Sequence, residues 1–170
     1  MTVETETFMP LEEYKKLSRK LIFNRRPVRI IVVASPVSFI LLCLYWFKII
    51  DNIDPTYQAL LILAAMLGLA IASIAINQPE KVYLSNKMLK QHWNYMFDEE
   101  KISYKIPGAN GNIGWEYITK YETAYNYLVL YASARHSYII NTDKLNAEQI
   151  NFIKSKIKIQ VRFNHGKTNN

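Results

Sequence analysis

The stretches Ile30–Phe47, IIVVASPVSFILLCLYWF, and Tyr57–Ile76, YQALLILAAMLGLAIASIAI, govern how the rest of the chain reads. Neither holds an acid, a base or a histidine, and both are apolar all round. At about 1.5 Å of rise per residue, helices of this length match the roughly 30 Å hydrocarbon core of a bilayer. A helix on a soluble core keeps a polar face, and these keep none. They predict a helical hairpin that crosses a membrane twice. A secretory signal peptide fits less well, because the first run is long for one and a second span follows at once.

The flanks orient the hairpin. Lys15, Lys16, Arg19, Lys20, Arg25, Arg26 and Arg29 precede the first run, and Lys81, Lys87 and Lys90 follow the second. The loop Asp51–Thr56 carries only acids, with Lys48 at its edge. Cationic flanks stay in the cytoplasm, so both termini are expected there and the loop outside. Tyr45, Trp46 and Tyr57 fall at the outer headgroup level. Asp54 suits the N-cap of the second helix and Pro55 its first position.

Inside the runs, Ala64, Gly68 and Ala72 recur at intervals of four, with Ala34 and Ser38 on the first helix. Small residues at this spacing let backbones approach. Packing of the hairpin on itself is the simpler reading, and a homo-oligomer the alternative. Pro36 is expected to kink its helix. Cys43, the single cysteine, reads as an apolar thiol, so no disulfide framework or cysteine-based metal cluster is expected. With no ionisable group in either span, an ion pathway has nothing to work with.

Four parts follow: an N-terminal segment (1–27), the hairpin (28–77), a domain (78–162) and a polar tail (163–170). In the first, Leu11, Tyr14, Leu17 and Leu21 share one helical face. Such a helix either lies in the membrane interface or packs against the C-terminal domain. From Gln78 onward, 13 basic side chains stand against 8 acidic ones, scattered rather than clustered. The overall net charge of +7 is therefore accounted for by topology and closeness to anionic lipid, and no nucleic-acid partner is expected.

The domain alternates like a sheet. Strands are expected at Trp93–Phe97, Lys101–Ile106, Asn112–Tyr117, Tyr125–Tyr131 and Ser137–Ile140. The break at Pro107–Gly111 places a tight hairpin turn at Asn110-Gly111, and Ala132–Arg135 makes a second loop. Asn146 with Gln149 spells a capping box for a terminal helix, with Leu145 and Ile150 as its staple. Its buried stripe is Ile150, Ile153 and Ile157. The fold class is a membrane α-helical hairpin plus an α+β domain, a small antiparallel sheet or barrel closed by a C-terminal helix.

The tracts Tyr95–Ile102, Gly114–Lys120, Tyr127–Tyr131, Tyr138–Ile140 and the helix at Glu148-Gln149-Ile150 together resemble the YcxB-like family of bacterial membrane proteins. The resemblance runs from Phe8 to about Ile159. It implies a two-helix hairpin in the inner or plasma membrane of a bacterium and a cytoplasmic pleckstrin-homology-like domain. The family commonly has a proline and a basic residue after the last strand. Here the segment is Asn141-Thr142-Asp143-Lys144, so Lys144 supplies the base and the rigid turn is missing.

Chemistry is sparse. His92, His136 and His165 have no partners at metal-ligand spacing, and Asp98-Glu99-Glu100 reads as a solvated turn. Gly108, Gly111 and Gly114 belong to turns rather than a phosphate cradle, and no serine sits in a nucleophile elbow. No enzyme, cofactor or metal is expected. The candidate partner-binding residues are Trp115, Tyr117, Tyr121, Tyr125, Tyr131, Tyr138 and Lys144, since tyrosine and tryptophan dominate interface energy. Trp115 has a second reading as a core anchor whose indole N–H meets a carbonyl. A protein partner is the leading expectation, with anionic lipid beside it. Immunity against a membrane-acting toxin is the alternative function, because some polymorphic-toxin immunity proteins share this size and layout. An accessory subunit of a transporter is a third reading.

Overall fold

The computed structural model describes residues 1–50, 54–133 and 136–166, with side chains of the last helix as far as Ile157. Of the expected features, Asp51–Ile53 in the acidic loop, Ala134 and Arg135 in the second hairpin loop and Lys167–Asn170 in the tail lie outside the described residues. The chain divides into two compact units: Leu11–Ser85, and Met1–Pro10 together with the chain from Asn86 onward.

The first unit is helical, with α1 (Leu11–Phe23), α2 (Arg26–Trp46) and α3 (Pro55–Ser85). α2 and α3 are long and apolar enough to cross a membrane. Their most apolar windows are only 6% and 17% buried, so most of their apolar surface faces outward. The two helices meet along a narrow seam. Ser38, Gly68 and Ala75 are buried in the unit, Ala64 and Ala72 are half-buried, and Ser35 Oγ donates to the Ala65 carbonyl at 3.3 Å.

Local chemistry sets the helix ends. α2 stops in a Schellman arrangement: Lys48 adopts φ 54°, and the N–H groups of Lys48 and Ile49 reach the carbonyls of Tyr45 and Leu44. At the start of α3, Asp54 Oδ1 accepts from the Thr56 N–H at 2.8 Å, which holds its carboxyl below the usual range, and Pro55 takes the first position. α2 passes through Pro36 without ending. α3 does not stop at Ile76 but continues through Pro79 to Ser85. α1 lies along this extension. Leu17 is 1% exposed, Tyr14 stacks at a tilt on Tyr83 at 5.6 Å, and Lys15 sits 3.7 Å from Glu80. The apolar face of α1 is therefore spent on α3.

The second unit holds two antiparallel sheets. One has the order β1 (Val3–Thr7), β2 (Trp93–Phe97), β3 (Lys101–Ile106), β4 (Ala109–Gly114); the other β5 (Lys120–Ala124), β6 (Tyr127–Tyr131), β7 (Ser137–Asn141). β1 and β5 were not expected. β1 pairs with β2 across the whole helical segment, Val3 opposite Phe97 and Thr7 opposite Trp93. The sheets do not close into a barrel. At one side side chains link them: Thr7 Oγ1 accepts from the Asn141 N–H at 2.9 Å, and the Thr5 hydroxyl donates to the Asn141 carbonyl at 3.5 Å. At the other side α4 (Ala147–Gly166) packs on β5 and on the turn Trp115–Tyr117.

The expected capping box is present, with the backbone N–H groups of Asn146 and Gln149 each donating to the other's side chain at 2.9 Å. Ile153 and Ile157 are sealed against Val3, Phe97, Ile102, Leu128, Leu130 and Ile140. Two expectations fail. The β3–β4 turn is Pro107-Gly108, with Gly108 at φ 83°, not Asn110-Gly111. This register sets Ile102 opposite Ile113, which keeps the core row continuous. The strand expected over Asn112–Tyr117 ends at Gly114, where the chain tightens into a 3-10 turn.

Candidate functional site

The turn Trp115–Tyr117 drives the Trp115 indole inward. It is 2% exposed, its ring centroid lies 6.1 Å from that of Phe97, and its Nε1–H donates to the Asp98 carbonyl at 3.0 Å. Trp115 is a core anchor and leaves no face for a partner. Buried donors demand such a bond, and this one ties the β2–β3 turn to the turn after β4.

The expected tyrosines do not line one groove. Tyr121 and Tyr138 share a row with Leu130 on the core face of the second sheet, whereas Tyr131, one residue along, points to the opposite face beneath Lys120 Nζ at 4.4 Å. Tyr138 joins an aromatic ladder with Tyr104 at 5.7 Å and Tyr95 at 6.5 Å. Burial raises the Tyr95 and Tyr138 phenols, Tyr95 strongly. Tyr117 and Tyr125 are well exposed but stand near opposite ends of β5. Tyr125 holds φ 53° in the two-residue turn between β5 and β6, a left-handed conformation that favours glycine.

Lys144 does reach a concave surface. The outward face of the first sheet forms an open groove of about 770 Å³, with Lys144 on its rim. Strand alternation lays down two rows, polar apart from Met96: Glu6, Asn94, Lys105, Asn110, and Glu4, Met96, Ser103, Asn112. Glu6 is the most engaged residue. Its Oε1 accepts from His92 Nδ1 at 2.7 Å and its Oε2 lies 3.6 Å from Lys144 Nζ. The His92 hydrogen bond, more than Lys144, holds the Glu6 carboxyl below the usual carboxylate range. His92 in turn stacks on Phe8 at 4.6 Å. Phe8 follows β1 and His92 precedes β2, so the chain leaves these strands and returns to them at adjacent points. Sequence reading missed Glu4 and Glu6 because it missed β1; the alternation of Val3, Thr5 and Thr7 with the two glutamates was the available signal.

Among the described residues, no group of three or more His, Cys, Asp or Glu side chains is placed to hold a metal ion. The groove offers amides, a hydroxyl and charges of both signs, which suits recognition of a polar surface.

These features define an α+β unit of two antiparallel sheets and a closing helix, on a chain that also carries a pair of long apolar helices. Residues 97–157, from the last residue of β2 to the last described side chain of α4, match the model of the YcxB-like protein family. No match was found among curated proteins. No solved structure matches either.

Proposed function

We propose that the chain is a non-enzymatic membrane protein of a bacterium, whose helical hairpin holds a pleckstrin-homology-like module at the cytoplasmic face to bind a protein partner. The supporting observation is the return of the chain at Phe8 and His92, stacked at 4.6 Å immediately beyond the paired ends of β1 and β2. A segment that leaves and re-enters one folded unit at adjacent points crosses a membrane an even number of times. The two apolar helices supply two crossings, and the cationic flanks favour the cytoplasm for both ends. Largely unburied apolar helices suit lipid, since a soluble protein avoids apolar patches of this extent.

The strand order, four then three with a closing C-terminal helix, favours the pleckstrin-homology-like reading. In this arrangement the hairpin is the connection between the first two strands. The partner surface is the groove on the first sheet, whose mixed charges suit an extended polar segment of a protein. A photo-crosslinking residue in place of Met96, in the full chain in living cells, is expected to give one discrete protein adduct. Lys144→Glu should weaken it. Absence of any adduct from Met96, Asn94 and Asn112 in membrane-inserted protein would overturn the assignment.

A further inference from the structure

The elbow between α1 and α2 is the most one-sided charge distribution in the chain. No acid occurs from Tyr14 to Ile50, while Lys15, Lys16, Arg19, Lys20, Arg25, Arg26 and Arg29 all fall before Ile30. Glu12 and Glu80 are both engaged by Lys15, at 2.9 and 3.7 Å, and Glu12 and Glu13 lie at the far end of α1 from the elbow. The elbow is short and braced: only Asn24 and Arg25 join the helices, and Arg29 Nη2 donates to the Asn24 carbonyl at 3.0 Å. Lys20, Arg25, Arg26 and Arg29 are all exposed.

The surface next to them is equally specific. Helical spacing puts Ile30, Val33 and Val37 in line with Arg26, and these three side chains are 68%, 68% and 52% exposed. Arg26 lies about 6 Å along the axis from Ile30. One face of α2 thus passes from guanidinium to bare aliphatic surface within a turn and continues for two more. A free phosphate would use only the first part. A molecule that uses both has a phosphodiester at one end and a hydrocarbon chain running along the helix.

We propose that this face of α2, with Lys20 and Arg25, is a binding site for an anionic phospholipid, its headgroup phosphate on Arg26 and Arg29 and one acyl chain along Ile30, Val33 and Val37. The assignment rests on the membrane reading above. Guanidinium forks match phosphate oxygens in pairs, which lysine does not reproduce. Each cation near an anionic lipid surface contributes roughly fivefold to binding, so removing two should cost on the order of thirtyfold.

The full chain in bilayer nanodiscs of phosphatidylcholine doped with phosphatidylglycerol, extracted gently and weighed by native mass spectrometry, reports the retained lipid. Retention of phosphatidylglycerol in excess of its bulk share is expected, with loss of that excess in Arg26→Gln/Arg29→Gln. Arg26→Lys/Arg29→Lys preserves charge and insertion, and should retain clearly less than the parent. Equal retention of the two lipids, or an unchanged excess in the lysine variant, would overturn the site. Complete displacement by millimolar inorganic phosphate would also overturn it, as that marks a simple anion site. Failure of the parent chain to enter the nanodisc at all would instead refute the membrane reading, and the site with it.

Discussion

Gly68 lies where α3 comes nearest α2, and replacing it with alanine tests that approach. A Cβ built there overlaps both Oγ and Cβ of Ser35 and lies 3.6 Å from its Cα. Rotating the hydroxyl clears only the first overlap. The second is fixed to the backbone, so the helices must part by on the order of 1 Å. Overpacking of this kind costs about 1–3 kcal/mol. Parting also breaks the hydrogen bond from Ser35 to the Ala65 carbonyl, worth about 0.6 kcal/mol between helices in lipid. Alanine returns about 1 kcal/mol in helix propensity. The net expectation is a loss of roughly 0.6–2.6 kcal/mol, read as a lowered unfolding midpoint when the detergent-solubilised full chain is titrated with a denaturing detergent. Ser35→Gly removes the offending Cβ, so the double variant should be less destabilised than the two single losses added together. Additive losses, or a Gly68→Ala chain as stable as the parent, would refute close packing at this point.

Val3→Asp should destabilise the strand-bearing unit by more than about 3 kcal/mol, because it puts a carboxylate at a fully buried site of β1. Tryptophan fluorescence during thermal unfolding reads this, and a variant within 1 kcal/mol of the parent (about) would remove β1 from the core. Tyr125→Gly should stabilise by roughly 0.5–1 kcal/mol by relieving the left-handed backbone, and a less stable variant would contradict the strain. Burial keeps the Tyr95 phenol protonated in the folded state to higher pH than in the unfolded chain. The stability involved is full below the ordinary phenol pKa of about 10 and is lost progressively as pH rises from there toward the raised folded-state value. Tyr95→Phe should therefore flatten the fall in melting temperature on the alkaline side, and an unchanged fall would count against a sealed hydroxyl.

The legible parts of the chain were those fixed by local chemistry. Composition alone marked α2 and α3, the spacing of Asn146 and Gln149 marked the start of α4, and alternation set β2 and β3 to the residue. β1 escaped because its segment offers only one sizeable apolar side chain, Val3, and its partner strand lies beyond the helical unit. β5, with Lys120, Glu122 and Thr123 among its residues, carries little apolar signal of its own. At the β3–β4 turn two dipeptides compete, and the continuity of the core row from Ile102 to Ile113 selects Pro107-Gly108. The tyrosines could not be assigned a side in advance, because β6 is buried on both faces and so gives no sense of which way Tyr121, Tyr131 and Tyr138 turn. The groove depends on Glu4 and Glu6, and became visible only once β1 was in place.

Two-sided cysteine labelling tests the hairpin most directly. In a Cys43→Ala background, a cysteine at Thr56, exposed at the start of α3, should react with a membrane-impermeant maleimide in intact cells. A cysteine at Lys87, exposed just after α3, should react only once the membrane is opened. Labelling of Lys87→Cys from outside, or of Thr56→Cys only after permeabilisation, would contradict a hairpin with both ends in the cytoplasm.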